Sequence, residues 1–288
     1  MAERYFAPRT EEELLARLKE MTEDSRFISG GTDLILKMNA GKIRPDALLY
    51  MGAMPEIRKI AERDGEVYVG AMADMTAISR DPLVARTCPA LADAAQHVGS
   101  AQIRNKATVG GNVANASPAG DLTVPLWLMD ARVHIAGPQG IRTATMEETV
   151  VGIEKTSLRH NEAILSFSYP VPQAQTYTAY RKLGSRSEVT ISRVGLAVLV
   201  QMREGAVLRA KIVLGAVAAT PVRALSAERL LEGGRLEPEA AEAAASALSD
   251  YILEINQRPN RFYKAHASKG VLLDSLETIR QRGGIALP

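Results

Sequence analysis

The chain has 288 residues, of which 46% are hydrophobic and 24% charged, an ordinary composition for a globular protein of about two or three compact units. Its formal net charge is +2 and its basic residues are scattered, so neither nucleic acid nor an anionic membrane surface is expected as a partner. No apolar run approaches the length of a membrane span, and the first residues lack a signal-peptide pattern. We therefore expect a cytoplasmic protein with no integral membrane segment.

The cysteine and histidine content argues against a disulfide or a metal site on this chain. Cys88 is the only cysteine, so the chain can form neither an internal disulfide nor a thiolate-bound cluster. We interpret Cys88 as a buried apolar side chain rather than a nucleophile. No metal-ligand spacing is visible among the four histidines, which are His97, His134, His160 and His266. Any redox chemistry is thus expected to come from an organic cofactor.

Local patterns in the first half predict short helices and strands. Thr10, followed three residues later by Glu13, is typical of a capping box and predicts a helix through the apolar residues that follow. The patterns then predict, in chain order, a short strand before a turn at Gly30–Gly31, strands "DALLYM" and "VYVGAM" separated by the polar turn "ERDG", a helix "CPALADAAQHVGS", and a hairpin that turns at Gly137–Pro138.

The composition changes near Pro170–Gln175, which makes this segment a candidate domain boundary. The strand "EAILSFSYP" is predicted to end there, and two apolar strands joined by a turn at Glu204–Gly205 are predicted after it. A helix is predicted from the spacing of Ala241, Ala244, Ala245, Leu248, Tyr251, Ile252 and Ile255. A last helix is predicted from about Lys269 to Arg282, ending at Gly283–Gly284.

Two glycine pairs lie in similar contexts, Ser29–Asp33 ("SGGTD") and Thr108–Asn112 ("TVGGN"). Each follows a strand-like segment and precedes small polar residues. Glycine permits positive φ and close approach to the backbone, and successive N–H groups in such a turn can bind an anion. Two such loops brought together could hold a pyrophosphate. The alternative is that both are plain tight turns, and neither matches the common dinucleotide or P-loop motifs.

The segments "ISGGTDLILKM", "VGAM", "IRNKATVGGNVANASPAGDLTVPL" and "AYRKLGSR" occur in a characteristic order and spacing. They resemble the FAD-binding medium subunit of the xanthine dehydrogenase / carbon monoxide dehydrogenase family of molybdenum hydroxylases. The resemblance covers nearly the whole chain and implies an α+β fold. Two FAD-binding subdomains of the vanillyl-alcohol oxidase type, residues 1–57 and 58–175, would precede a C-terminal α/β domain, residues 176–288.

The resemblance also implies which residues bind FAD, here without a covalent bond. Ser29, Gly30, Gly31, Thr32, Asp33 and Leu34 would wrap the pyrophosphate, and Thr108, Gly110, Gly111 and Asn112 would supply the second loop, with Ser117 nearby. Asp121 would accept hydrogen bonds from sugar or ribityl hydroxyls, or it could instead be a helix N-cap. Leu165 would touch the flavin through its backbone, or it could be only a core residue.

Lys182 would lie near the pyrimidine edge of the flavin, where a cation favours the reduced, anionic form; the alternative is an ordinary exposed lysine. Val98 stands where some relatives carry an aromatic residue that stacks on the flavin, so another residue would cover that face. Members of the family that reduce aromatic thioesters carry a cysteine-bearing insertion for an extra cluster. This chain has no such insertion and one cysteine.

The function implied by the resemblance is that of an FAD-dependent oxidoreductase subunit. Electrons would pass from [2Fe–2S] clusters of a small partner subunit through FAD to NAD or another acceptor. A large partner subunit would carry the molybdenum cofactor and oxidise the substrate, in a dimer of heterotrimers, that is, a heterohexamer. No catalytic residue is expected on this chain. The alternatives are a stand-alone flavin oxidoreductase of the same fold and an FAD-less scaffold subunit.

Overall fold

The computed structural model describes residues 3–187 and 189–284, and its first unit is a small parallel sheet. Three strands, β1 (Arg4–Phe6), β2 (Arg26–Ile28) and β3 (Ala47–Tyr50), lie in the order β1-β3-β2. The helices α1 (Glu11–Leu18) and α2 (Leu34–Asn39) connect them. Short 3₁₀ turns at Met51–Ala53 and Glu56–Arg58 lead out of this sheet.

The second unit is a five-stranded antiparallel sheet in the order β4-β5-β10-β6-β7, flanked by short helices. Its strands are β4 (Ile60–Arg63), β5 (Glu66–Gly70), β6 (Arg132–Gly137), β7 (Gly140–Thr145) and β10 (Ala163–Pro170). A separate hairpin contains β8 (Val150–Gly152) and β9 (Lys155–Thr156). The helices are α3 (Met75–Arg80), α4 (Pro82–Thr87), α5 (Pro89–Gln96), α6 (Ala101–Arg104), α7 (Val109–Ala114), α8 (Thr123–Leu128) and α9 (Met146–Thr149).

The third unit is a four-stranded antiparallel sheet covered by the last three helices. Its strands are β11 (Thr176–Leu183), β12 (Val194–Arg203), β13 (Ala206–Gly215) and β14 (Val222–Arg223), and its helices are α10 (Leu225–Leu231), α11 (Pro238–Ile255) and α12 (Arg261–Gly283). Residues 51–59 connect the first sheet to the second and residues 171–175 connect the second to the third, and the domain boundaries at residues 57 and 175 stay predictions. No helix within residues 3–187 and 189–284 is apolar and long enough to cross a membrane.

The central strand β12 shows why the third sheet packs tightly onto the second unit. Its residues are almost continuously apolar, and both of its faces are buried. Ala197 and Leu199 belong to the core of the second unit, whereas Leu196 and Val198 belong to the core shared with α10–α12. A strand buried on both faces needs such an uninterrupted apolar run. The apolar sequence of β12 therefore allows the third sheet to pack on the second unit with one face and on α10–α12 with the other.

Several predicted elements are confirmed. The hairpin at Gly137–Pro138 joins β6 to β7, and the turn at Glu204–Gly205 joins β12 to β13 with positive φ at both residues. That backbone conformation suits a tight hairpin turn. The side chain of Thr10 accepts the Glu13 N–H, as expected, but the Glu13 carboxylate accepts the N–H of Arg9 rather than that of Thr10.

Three predicted details are corrected by the structure. The strands "DALLYM" and "VYVGAM" lie in different sheets, because the turn "ERDG" joins β5 to the unpredicted strand β4. The last helix begins at Arg261, eight residues before the predicted start. The second glycine pair does not form an open loop, because its residues begin α7.

Candidate functional site: a cavity between the first two sheets

A cavity of about 450 Å³ lies between the first and the second unit, within the usual size range of small-molecule sites. Its wall from the first unit includes Phe27, Ile43 and Met51, and its wall from the second includes Val98 and Ile164. The predicted residues that line it are Ser29, Gly30, Gly31, Thr32, Asp33, Leu34, Thr108, Gly110, Gly111 and Asn112. The structure thus brings both glycine pairs to one cavity. Ser117, Asp121, Leu165 and Lys182 are not part of its lining.

The first glycine pair forms a turn with free backbone donors. The chain leaves β2 at Ile28, turns at Gly31, where φ is +72°, and enters α2 at Leu34. Within residues 3–187 and 189–284, no protein acceptor is found for the N–H groups of residues 30–34. Successive free N–H groups of this kind form a concave site for an anion. The free N–H groups of this turn therefore support the interpretation that the first glycine pair can bind an anion such as a pyrophosphate.

The second glycine pair differs from the first in its hydrogen bonding. Thr108 caps α7 by accepting the Gly111 N–H at 3.2 Å. The N–H of Val109 donates to Ala73 at 3.1 Å, and that of Gly110 donates to Ala71 at 2.9 Å. Because these donors are already engaged, the segment cannot act as a second nest of free N–H groups. Its residues Thr108, Gly110, Gly111 and Asn112 line the cavity together with the first turn.

One glycine of each pair is required by packing within the protein. A Cβ at Gly30 would overlap the carbonyl oxygen of Lys106, and a Cβ at Gly110 would lie 2.7 Å from the Cβ of Ala71. These glycines allow backbones of neighbouring segments to approach closely. A Cβ at Gly111, by contrast, would meet only Thr108 Oγ1 at 3.1 Å and Ser29 Cβ at 3.9 Å. Gly111 is thus the glycine of the second pair that leaves space between the two walls.

Asp121 and Lys182 form a buried ion pair behind the cavity. Lys182 Nζ lies 2.7 Å from Asp121 Oδ2, and the two side chains are only 5% and 7% exposed. Asp121 Oδ1 also accepts the hydroxyls of Tyr180 at 2.7 Å and Ser192 at 2.5 Å. Burial and the neighbouring carboxylate raise the pKa of Tyr180, so its hydroxyl remains a donor. Asp121 is therefore neither an N-cap of α8 nor exposed to the cavity in this structure.

Lys182 nevertheless connects to the cavity wall through the main chain. Its Nζ donates to the carbonyl of His97 at 3.1 Å, and the next residue, Val98, lines the cavity. The guanidinium of Arg104 donates to the carbonyls of Val98 and Gly99 at 3.3 and 3.0 Å. Two cations therefore hold this wall segment from behind. The alternative of an ordinary exposed lysine at position 182 is wrong.

Leu165 and Ser117 also lie outside the cavity lining. The carbonyl of Leu165 accepts the N–H of Ala71 at 2.8 Å, and its side chain is buried in the core below the first sheet. Its carbonyl thus accepts one protein N–H, and a contact of its backbone with the flavin stays a prediction. The hydroxyl of Ser117 accepts the N–H of Ala119 at 3.3 Å and shapes the turn before Asp121.

Charged residues of the cavity lining were missed by the sequence interpretation. Lys37 of α2 lines the cavity and pairs with Asp33 at 3.1 Å. Its position four residues after Asp33 in a helix is a signal that could have identified it. Glu162, the residue just before β10, also lines the cavity and accepts hydrogen bonds from the guanidinium of Arg142 at 2.7 and 2.8 Å. This ion pair holds the pKa of Glu162 below its ordinary value, despite the opposing effect of burial.

The residues present fit a dinucleotide such as FAD. The cavity combines an apolar wall with a turn of free N–H groups for a diphosphate. In the described part of the chain, neither a histidine nor Cys88 lines the cavity.

Cys88 is fully buried, and burial raises the pKa of its thiol to about 12, so it is an unreactive core residue. Residues 3–187 and 189–284 also contain no group of side chains arranged to hold a metal ion.

Comparisons with known proteins agree with this geometry. Residues 1–172 match the model of the FAD binding domain in molybdopterin dehydrogenase, and residues 178–278 match that of the CO dehydrogenase flavoprotein C-terminal domain. The nicotinate dehydrogenase FAD-subunit of Eubacterium barkeri is 29% identical over 95% of this chain and 97% of its own length. The carbon monoxide dehydrogenase medium chain of Hydrogenophaga pseudoflava is 30% identical over 84% of each chain.

The fold is similar as well. A chain of the solved carbon monoxide dehydrogenase from Hydrogenophaga pseudoflava superposes with a TM-score of 0.88, covers 98% of both chains and is 29% identical. The chain therefore belongs to the family of FAD-binding medium subunits of the xanthine dehydrogenase / carbon monoxide dehydrogenase type. It is an FAD-dependent oxidoreductase subunit with an FAD-binding domain and a C-terminal CO dehydrogenase flavoprotein domain.

Proposed function

We propose that this chain is the electron-transfer subunit of a multi-subunit molybdenum hydroxylase. The observation that carries the proposal is the cavity between the first two units. It is lined by residues 29–34 and by residues of α7, and in the described part of the chain the N–H groups of residues 30–34 have no protein acceptor. When FAD is bound there, it supplies a centre that takes up electrons singly and releases them in pairs. Relatives named as an FAD-subunit and a medium chain support a place in a complex of several chains.

The proposed roles of the residues follow from their places. Residues 29–34 hold the diphosphate with backbone N–H groups, and Thr108 and residues 110–112 line the same cavity, where Gly111 leaves space between the two walls. Ser117, Asp121, Leu165 and Lys182 keep the roles that the family resemblance implies: Ser117 near the second glycine pair, Asp121 towards sugar or ribityl hydroxyls, the Leu165 backbone at the flavin and Lys182 near its pyrimidine edge. Lys182 and Asp121 act together, since the carboxylate compensates the charge of the ammonium group.

The route of the electrons requires other chains. A small subunit with [2Fe–2S] clusters would deliver electrons, and NAD or another acceptor would take them away. A large subunit with the molybdenum cofactor would oxidise the substrate. One cysteine cannot ligate such clusters, so they would lie on the partners. The proposed assembly is a cytoplasmic dimer of heterotrimers.

Purification of the tagged chain from cells that express its neighbouring subunits tests this function. We expect yellow protein that contains FAD and co-purifies with chains that carry iron and molybdenum. A flavin-free chain would favour the scaffold alternative. A yellow chain that co-purifies with no metal-bearing subunit would favour a stand-alone flavin enzyme.

A further inference from the structure

Lys37 lies in α2, directly after the turn that is proposed to receive the diphosphate, and it lines the same cavity. Its Nζ is 3.1 Å from Asp33 Oδ2, 3.8 Å from Glu154 Oε2 and 3.4 Å from Asn115 Oδ1. Lys37 and Asp33 come from the first unit, whereas Glu154 and Asn115 come from the second. The ammonium group therefore bridges the two walls of the cavity and contacts both carboxylates.

The charges around this bridge are unfavourable for an anion without Lys37. Asp33 is the residue just before α2, and Glu154 lies in the turn between β8 and β9; both line the cavity. Their side chains are 53% and 61% exposed, so both carboxylates are accessible to a bound ligand. The other cation of the lining, Arg26, donates to the carbonyls of Glu23 and Ser25 instead.

We propose that Lys37 is the charge-compensating residue of the FAD diphosphate subsite: by neutralising Asp33 and Glu154, it allows the dianionic diphosphate to approach the free N–H groups of residues 30–34. This inference rests on the placement of the diphosphate at that turn. Without the ammonium group, two carboxylates would repel the diphosphate across the cavity mouth. The bridge also joins the two walls on either side of the bound dinucleotide.

Titration of flavin-free protein with FAD, followed by quenching of flavin fluorescence, measures this effect without any enzymatic assay. At low salt, Lys37→Met is expected to weaken FAD binding about tenfold or more, because a short-range charge interaction is lost. Lys42→Met is the matched control, since Lys42 is exposed in the same unit and does not line the cavity. Lys37→Arg keeps the charge and is expected to bind FAD like the wild type.

Salt and a second substitution separate compensation from a loss of local structure. Raised salt should narrow the difference between Lys37→Met and the wild type, because it screens the carboxylates that repel the diphosphate. Adding Asp33→Asn to Lys37→Met should restore most of the affinity. Loss of binding without this rescue would overturn the proposal, and so would equal affinities of Lys37→Met and the wild type. A wild-type chain that binds no FAD would instead contradict the proposed function itself.

Discussion

The ammonium group of Lys182 lies 2.7 Å from the carboxylate of Asp121, although 61 residues separate them in the sequence. Lys182 belongs to β11 of the third unit, and Asp121 precedes α8 of the second. The pair therefore joins the C-terminal unit to the FAD-binding domain, and it does so directly behind the cavity wall at Val98. Four groups share this buried site, because Tyr180 and Ser192 also donate to Asp121.

Removal of the lysine should cost stability. Lys182→Met leaves Asp121 buried with two hydroxyl donors but no cation, and we expect the free energy of unfolding to fall by about 3–5 kcal/mol. Chemical denaturation of the flavin-free protein measures this loss. Adding Asp121→Asn should recover part of it, whereas Lys19→Met, at an exposed lysine, should change little. A loss no larger than that of Lys19→Met would show that the ion pair contributes nothing to stability.

Substitutions in the second glycine pair should separate folding from FAD binding. Gly110→Ala forces a Cβ against Ala71, so we expect it to destabilise the protein by about 1–3 kcal/mol. Gly111→Val should leave the far-ultraviolet circular dichroism unchanged, yet weaken FAD binding about tenfold or more, since its side chain narrows the space towards Ser29.

Gly270→Val provides the control for Gly111→Val, because Gly270 lies in α12 and a Cβ there would meet no atom within 4 Å. It should bind FAD with the affinity of the wild type. Normal FAD content in Gly111→Val would show that this glycine serves only the helix and not the cofactor.

Glu162 should contribute to the pH dependence of stability. Its pKa is lowered in the folded protein, chiefly by the hydrogen bonds of Arg142, so its stabilising effect is present above the ordinary pKa of a glutamate. This effect is lost as the pH falls through the lowered value. Denaturation of Glu162→Gln should therefore show a large deficit against the wild type at pH 7 and a smaller one near pH 3. Glu242→Gln, at an exposed site, should have the stability of the wild type at both pH values. A stability deficit of Glu162→Gln that does not depend on pH would contradict this account.

FAD should be bound without a covalent link. Within the described ranges, the cavity is lined by neither a histidine nor a cysteine, the usual attachment residues. After acid precipitation, the flavin absorbance is expected in the supernatant. Flavin that stays in the protein pellet would show a covalent bond.

Local signals in the sequence were sufficient to predict the two hairpins at Gly137–Pro138 and Glu204–Gly205 and the turn at the first glycine pair. The hairpin at Glu204–Gly205 was predicted from a turn that contains glycine between two apolar runs, and the positive φ of both residues is typical of such a two-residue turn. No tertiary information was needed. The segment after Thr108 was harder, because glycines are poor helix formers. There the N-cap bond of Thr108 and the packing of Gly110 against Ala71 determine that α7 forms.

The contacts of three residues in or near the site depend on segments that are distant in the sequence. Lys182 is buried only because the third sheet packs on the second unit, which no local pattern around "YRKLG" encodes. The carbonyl of Leu165 accepts the N–H of Ala71 at a register shift of β10, between Ile164 and Ser166. Lys37 had a local signal in its spacing from Asp33, but its contact with Glu154 required the arrangement of two units.

Flavin bleaching under anaerobic conditions tests most directly the claim that this chain passes on electrons received from partner subunits. The purified chain, loaded with FAD, is mixed with an organic substrate of the hydroxylase, and the visible flavin absorbance is followed with and without the iron–sulfur and molybdenum subunits. We expect no bleaching by the chain alone and rapid bleaching once both partners are present. Bleaching by the isolated chain at an enzymatic rate would contradict the account and would identify a self-sufficient flavin enzyme.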